Sequence, residues 1–277
     1  MLSLTPNPIK VLDFYDDGEN TRHYQFCIQN PEQHLAPWLK AESGQFFMLC
    51  LPGVGEAPFT FTALPDERGL FKALVRKTGS VTEALFRCGV GDVIGARGPF
   101  GRGWPMDSLT QKRILVVGGG CGIAPLASVI EQMLDSQDFI QMEVVYAARN
   151  RASLMLNPER ERWQHSVPMF NVVEDVTGLS ESEYYQGTAL GILPKVLHTF
   201  GEQPDRVLLA GPETMQTVAA EYLVAYGIDP KSIFLSIERR MHCAVGLCGH
   251  CYLNEKYVCS HGPTFSWAEL LRYDIAC

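Results

Sequence analysis

No apolar run in the chain approaches the ~18 residues needed to span a bilayer, so no transmembrane helix and no membrane insertion are expected. The opening stretch Met1 to Lys10 lacks a basic region followed by an apolar one, so no export signal is expected either. Positive charge is scarce: 23 Lys and Arg stand against 31 Asp and Glu, a formal net charge of −8. That balance argues against nucleic-acid binding as the main role. There is no internal repeat, no low-complexity tract, no recognisable set of nickel ligands and no haem motif. The cysteine count, nine, is odd. Without an export signal, it points to a reducing, cytoplasmic setting rather than a disulfide framework.

What is present is ordinary in bulk and specific in detail. With 277 residues, 46% hydrophobic and 19% charged, the chain suits two globular domains, each able to bury its own core. The first hundred residues read as strands. GQFFMLCL, GLFKALVRK and GDVIGARG are short apolar or alternating runs bounded by Gly, Pro and Asp. With one short helix, expected over Val81 to Arg87, they imply a small antiparallel β-barrel. Glycine and proline then cluster in GPFGRGWP, and a boundary is expected just after it. From Lys112 the pattern changes to buried strands alternating with helices. RILVVGGG precedes IAPLASVIEQMLDS, QMEVVYAAR and NVVED follow, and RVLLAGP precedes ETMQTVAAEYLVAYG, closed by Gly227, and SIFLSIE. This is the grammar of an α/β parallel sheet of Rossmann-like type. The expected division is 1–106, 107–237 and a final segment 238–277.

The final segment holds the most specific pattern. Cys243, Cys248, Cys251 and Cys259 are spaced C-x4-C-x2-C-x7-C. Plant-type 2Fe–2S sites share the C-x4-C-x2-C core with a later fourth Cys. Gly246 and Gly249 lie where the loop must bend and where amides can point at sulfur. Structural zinc also takes four thiolates, but usually as two C-x2–4-C pairs. A Rieske-type centre would need two His ligands. His250 and His261 lie nearby, although four cysteines already complete a ligand set. The other cysteines, Cys27, Cys50, Cys88, Cys121 and Cys277, read as small apolar fillers. Cys121 stands apart because it lies in a glycine-rich loop.

Three further stretches invite a ligand. Gly118 to Pro125 follows a strand and precedes a helix, where glycines let the backbone approach a pyrophosphate and the helix N-terminus favours an anion. Gly119, Gly120, Gly122 and Pro125 are the candidate residues; a plain α/β turn is the alternative. Gly211 and Pro212 end a later strand, where a turn could clear space for a flat ring or simply join strand to helix. In the barrel, Pro58, Phe59, Thr60, Phe61 and Thr62 alternate bulky and hydroxyl side chains. They could line a flavin edge or form a half-exposed strand. Gly79, Ser80, Val81 and Thr82 open the short helix, with Arg76 and Lys77 beside them, forming either a pyrophosphate site or an ordinary Ser N-cap. Arg149 and Arg151 follow the second sheet strand, where a 2′-phosphate could be bound or where two arginines could simply be solvated.

Taken in order, GEAPFTFTALPDERG, RKTGSVTEAL, GGGCGIAPL, AGPETM and IERRMHCAVGLCGHCYLNEKYVCSHGP resemble the motifs of the ferredoxin–NADP reductase superfamily. The resemblance covers nearly the whole chain and is closest to electron-transfer subunits with a C-terminal 2Fe–2S segment. These are the gamma subunits of cytoplasmic NAD(P)-linked nickel–iron hydrogenases (sulfhydrogenases) and the corresponding electron-transfer subunit of anaerobic sulfite reductase. The electron-transfer subunit of dihydroorotate dehydrogenase is similar at greater distance; it usually has a longer gap than the seven residues between Cys251 and Cys259. A free-standing oxygenase-type reductase is a further alternative. The resemblance implies FAD, a 2Fe–2S cluster and NAD(P)H as cofactors. It also implies a catalytic partner subunit carrying further iron–sulfur, NiFe or sirohaem centres. By it, Phe59, Thr60 and their neighbours face the flavin, and Arg76, Gly79, Val81 and Thr82 hold the ribityl and pyrophosphate. Gly120, Gly122 and Pro125 receive the dinucleotide. Two positions depart from the pattern: Ala57 stands where an arginine is common, and Ala210 where a cysteine often precedes Gly-Pro.

Overall fold

The computed structural model describes residues 4–177 and 184–273. Cys277 lies outside them. The chain forms two compact units: Met1–Trp104 with Glu238–Pro263, and Pro105–Ile237 with Thr264–Cys277.

The first unit is built on six strands. These are β1 (Asn7–Asp16), β2 (Thr21–Ile28), β3 (Phe46–Leu51), β4 (Gly55–Thr60), β5 (Leu70–Arg76) and β6 (Val93–Phe100). They run antiparallel in the order β4-β3-β6-β1-β2-β5. The two edges then meet: Ala63, just past β4, bridges Lys72 on β5, and the Thr62 amide donates to the Lys72 carbonyl at 2.9 Å. This closure makes a barrel and leaves no long open edge. Two helices pack on it, α1 (Pro31–Trp38) and α2 (Ser80–Arg87); the sequence suggests only the second. Trp38 is fully buried among Phe47, Phe61 and Phe71, and its indole N–H donates to Asn7 Oδ1 at 2.9 Å. A buried indole needs that partner, which explains how α1 is held over one end of the core.

The second unit follows the βα grammar. Strands β7 (Arg113–Gly119), β8 (Gln141–Asn150), β9 (Met169–Asp175), β10 (Tyr185–Gln186), β11 (Arg206–Ala210) and β12 (Ile233–Ser236) are interleaved with four helices. These are α3 (Ile123–Ser136), α4 (Asn157–Trp163), α5 (Ala189–Phe200) and α6 (Glu213–Ala225). The order is β10-β9-β8-β7-β11-β12, all parallel. β7 and β11 are buried along nearly their whole length, as expected for a parallel sheet covered on both faces.

The chain next enters the cysteine segment. It holds the two-residue strands β13 (Tyr252–Leu253) and β14 (Lys256–Tyr257), followed by a single helical turn, α7 (Val258–His261). It then returns to the second unit, where β15 (Thr264–Ser266) adds an antiparallel edge to β12. A capping box at Ser266 and Glu269 starts the last turn, α8 (Trp267–Leu270). The sequence predicts no strand after the last cysteine, because three residues carry too little periodicity to register.

One buried group in the sheet opposes folding. Glu143, in the middle of β8, is 3% exposed; Gln141 reaches one of its oxygens at 3.0 Å and the other has no partner. Desolvation raises its pKa, only partly offset by the Gln141 bond. A carboxyl whose folded pKa lies above its unfolded value loses stability as pH rises from the unfolded value through the folded one. Glu143→Gln should therefore stabilise the protein by about 1 kcal/mol at pH 7. The gain should shrink toward zero in acid, read by denaturant titrations at the two pH values.

Candidate functional site

In the barrel, the run from Pro58 to Thr62 splits. Pro58, Phe59 and Thr60 are half-buried at the end of β4. Phe61 and Thr62 lie beyond the strand and turn inward. Phe61 is 0% exposed, packed against Trp38, Phe47 and Phe71. Thr62 is 4% exposed and its hydroxyl meets the buried His23 Nε2 at 2.7 Å. Their side chains are therefore core elements with no face left for a flavin, which corrects the expectation that all five line one. Phe59 and Thr60 remain available.

The start of α2 has open N–H groups. Arg76, Lys77, Gly79 and Ser80 are exposed and Val81 is half-buried. Thr82 is buried, and its hydroxyl is committed to the turn. It accepts from the Thr78 and Gly79 amides at 2.9 and 3.0 Å and donates to the Gly79 carbonyl at 2.8 Å. Thr82 thus shapes the helix start rather than offering its hydroxyl to a ligand. The amides of Ser80, Val81 and Thr82 are the first of the helix and have no intrahelical acceptors, which suits an anion. The Lys77 ammonium lies 5.5 Å from the Phe86 ring centroid, so its charge is held near this helix.

In the second unit, strand order reverses at β7, which has β8 on one side and β11 on the other. Ligands of open α/β sheets sit outside the carboxyl ends of strands at such a point. The loops after β7 and β11 carry the predicted glycines, and they touch. A Cβ on Gly122 would lie 2.3 Å from the Ala210 carbonyl oxygen, and one on Gly119 would lie 2.5 Å from Met215 Sδ. Gly122 is therefore small because two backbones meet there. Gly120 differs: its φ is +53° and nothing lies within 4 Å of where a Cβ would stand, so its open side is available to a ligand. Pro125 is buried in the first turn of α3, Pro212 is exposed beside Gly211, and Arg149 is exposed at the end of β8.

Sequence reasoning misses Tyr146. It is fully buried on β8, donates to the Gly120 carbonyl at 3.0 Å and accepts from the Met155 amide at 3.1 Å. It holds the left-handed Gly120 in place. The available signal is a tyrosine inside an otherwise apolar strand, since a buried phenol must find a partner.

The cysteine loop is organised around its sulfurs. Cys243 Sγ accepts from the amides of Val245, Leu247 and Cys248 at 3.5, 3.3 and 3.4 Å. Cys259 Sγ accepts from Gly246 at 3.2 Å, and Cys251 Sγ from Cys259 at 3.5 Å. Left-handed backbone at Ala244, Gly246 and Gly249, with φ of 63°, 74° and 79°, turns the amides inward. Such donors suit sulfurs that carry negative charge, as iron-bound thiolates do. Four cysteines in one loop, with backbone amides directed at three of their sulfurs, are a donor set that fits a 2Fe–2S cluster. The loop also has two sides: Cys248 is exposed, whereas Cys251 and Cys259 are 2% and 1% exposed. The His250 amide lowers the Cys248 thiol to about 7, while burial pushes Cys259 up to about 12.

Comparison with known proteins gives three domain matches. Residues 9–104 match the oxidoreductase FAD-binding domain and 116–221 the oxidoreductase NAD-binding domain. Residues 238–271 match the iron–sulfur cluster binding domain of dihydroorotate dehydrogenase B. The chain is 31% identical to sulfhydrogenase 1 subunit gamma of Pyrococcus furiosus, over 95% of this chain and 91% of that one. It is 30% identical to a probable dihydroorotate dehydrogenase B (NAD(+)) electron transfer subunit of Thermococcus kodakarensis, over 95% and 97%. Among solved structures, one from the NADH-dependent reduced ferredoxin–NADP oxidoreductase superposes with a TM-score of 0.73 at 22% identity, covering 95% of this chain and 91% of that one. The ferredoxin reductase in carbazole 1,9a-dioxygenase gives 0.67 at 18%, covering 83% and 68%.

Two substitutions separate packing from binding at the β7 loop. Gly122→Ala should cost about 3 kcal/mol and lower Tm by roughly 5–10 °C, because backbone cannot move aside. Tyr146→Phe should keep the fold but weaken dinucleotide binding roughly fivefold, the worth of about 1 kcal/mol of loop anchoring, by fluorescence titration with NADH or NADPH.

Proposed function

The chain belongs to the family of FAD- and NAD(P)-binding electron-transfer subunits that includes sulfhydrogenase gamma subunits and those of dihydroorotate dehydrogenase B, and we propose that it relays electrons between NAD(P)H and a hydrogenase-type catalytic partner. The observation that carries this reading is a single compact unit holding both the barrel and a cysteine quartet whose sulfurs collect backbone N–H donors.

When bound, a nicotinamide would supply two electrons as one hydride, FAD could pass them on singly, and a 2Fe–2S cluster would carry one at a time at low potential. The chain's own residues hold and orient these groups. Phe59 and Thr60 bound the flavin ring and, with Pro58, offer an apolar body and one hydroxyl. The amides of Ser80, Val81 and Thr82, with Arg76, Lys77 and Gly79, take the FAD phosphates and supply the charge that Ala57 does not. Gly119, Gly120 and Gly122 shape the dinucleotide seat, α3 presents its N-terminus with Pro125 in the first turn, and Gly211 and Pro212 border the nicotinamide. Arg149, exposed at the end of β8, would meet a 2′-phosphate. Cys243, Cys248, Cys251 and Cys259 ligate the two irons.

No group in the described residues resembles a terminal catalyst, so the partner carries it: further iron–sulfur centres with NiFe, or with sirohaem in a sulfite reductase. The sulfhydrogenase relative favours the first. A second reading, the electron-transfer subunit of a dihydroorotate dehydrogenase, is favoured by the match over 238–271. The reading includes a cytoplasmic location, and among the described residues no helix is long and apolar enough to cross a membrane.

Anaerobic purification tests the assignment. The protein should show flavin and iron–sulfur absorption and bring its catalytic subunit with it. In Cys248→Ser, NAD(P)H should still bleach the flavin while reduction of the partner falls at least a hundredfold. Undiminished electron delivery by that variant would remove the cluster from the path.

A further inference from the structure

The end of β6 meets the cysteine segment at two places. The Arg102 amide donates to the Gly262 carbonyl at 2.5 Å, and Arg102 bridges Pro263. Gly101, with φ of +80°, has no room for a side chain, because a Cβ would lie 2.5 Å from that same Gly262 oxygen. The second attachment is a side chain. Arg97 on β6 is 5% exposed. Its Nε donates to Glu56 Oε1 at 3.1 Å and its Nη2 to Glu56 Oε2, a two-pronged pair between β6 and β4. Its Nη1 donates to the backbone carbonyl of Cys243 at 3.2 Å. Its Cζ lies 5.5 Å from the Phe100 ring centroid.

A buried ion pair of this kind is expensive to break, since either partner alone leaves an uncompensated charge. Pairing with Glu56 occupies one side of the guanidinium and does not require the bond to Cys243. That additional donor goes to the peptide of the cysteine whose sulfur collects three amides. Glu56 is tied in as well. It accepts from the Cys50 thiol at 3.0 Å, and although burial opposes its charge, Arg97 and Cys50 hold its carboxyl below the ordinary range. The result is a fixed positive charge and a fixed negative charge at one end of the loop, with the positive one in contact with it.

We propose that Arg97 is a positioning residue for the iron–sulfur loop, and that the Arg97–Glu56 pair sets the cluster's reduction potential, the guanidinium raising it and the carboxylate opposing it. The proposal rests on the assignment of Cys243 as a cluster ligand. Reduction adds negative charge to the centre; a nearby cation favours the reduced state and a nearby anion disfavours it. The bond to the Cys243 carbonyl fixes the arm of the loop on which three of the sulfur-directed amides lie. Arginine suits both tasks because its planar fork can hold a carboxylate and still donate elsewhere, which lysine cannot reproduce.

The test uses the full chain with its cofactors, comparing wild type with Arg97→Gln, Arg97→Lys and Glu56→Gln. Midpoints come from redox titration followed by the EPR signal of the reduced cluster. A second readout, amide hydrogen exchange over 243–262, is taken on the iron-free protein. Arg97→Gln should lower the midpoint and Glu56→Gln should raise it, each by about tenfold in the one-electron equilibrium, or ~59 mV. Arg97→Lys should keep the midpoint near wild type while exchange of the Val245, Leu247 and Cys248 amides quickens about tenfold. Midpoints that move in the same direction, or not at all, overturn the electrostatic role. Unchanged exchange in Arg97→Lys overturns the positioning role. If Arg97→Gln does not fold, a Glu56→Gln midpoint that fails to rise decides against the proposal. Wild type that takes up no iron overturns the ligand assignment itself, an outcome distinct from a loaded wild type whose variants do not shift.

Discussion

Sulfur atoms that carry negative charge must be surrounded by N–H groups, and the cysteine loop bends its backbone to provide them. Cys243 Sγ alone collects three amides. The price is left-handed backbone at Ala244, Gly246 and Gly249. Glycine adopts this freely; alanine does so with strain of roughly 1 kcal/mol. Ala244 is 2% exposed, so packing holds it where its own preference would not. A short segment with two-residue strands and a four-residue helix cannot supply that packing by itself. Its rigidity comes from the end of β6, which contacts the loop near its first cysteine and again past its last. The barrel is thus the support of the loop, which accounts for the grouping of Glu238–Pro263 with Met1–Trp104.

The two candidate nucleotide sites meet one need with different chemistry. Both offer an anion the unbonded amides at a helix N-terminus. At α2 the cations Arg76 and Lys77 stand immediately before the helix, so backbone dipoles and full charges act together. At α3 the loop from Gly118 to Pro125 contains no charged residue. There the seat depends on backbone shape: Gly122 allows contact with the β11 loop, and Tyr146 holds the Gly120 peptide from below. Arg149, at the end of β8, and Arg151, just past it, are exposed.

Much of this is legible in the residues because the signals are local. The cysteine spacing, the strand–glycine–helix run and the change from closely spaced strands to alternating strands and helices all lie within short windows. What is not legible depends on partners distant in sequence. Barrel closure rests on the bridge from Ala63 to Lys72, and no pattern within β4 announces it. The alternation from Pro58 to Thr62 reads as a single face, but period two cannot tell where a strand ends. The chain leaves β4 after Thr60, so Phe61 joins the aromatic core and Thr62 meets His23. Thr82 reads as a ligand contact because hydroxyls at helix starts look alike, whether they face inward to cap or outward to bind. Arg97 in GDVIGARGPF gives a weak signal: a cation inside an apolar strand implies a buried partner, without naming Glu56 or Cys243.

The four sulfurs of the loop lie in unlike settings. Cys251 and Cys259 are buried, and burial is the main cause that raises the Cys259 thiol. Cys248 lies at the surface, and hydrogen bonds from backbone amides, His250 first, outweigh its desolvation and favour its thiolate. Of the four candidate ligands, two thus lie within the protein and one at its surface. Support, donors and exposure therefore follow one design: the inner thiolates are positioned by packing, and the outer thiolate by hydrogen bonds that leave it accessible.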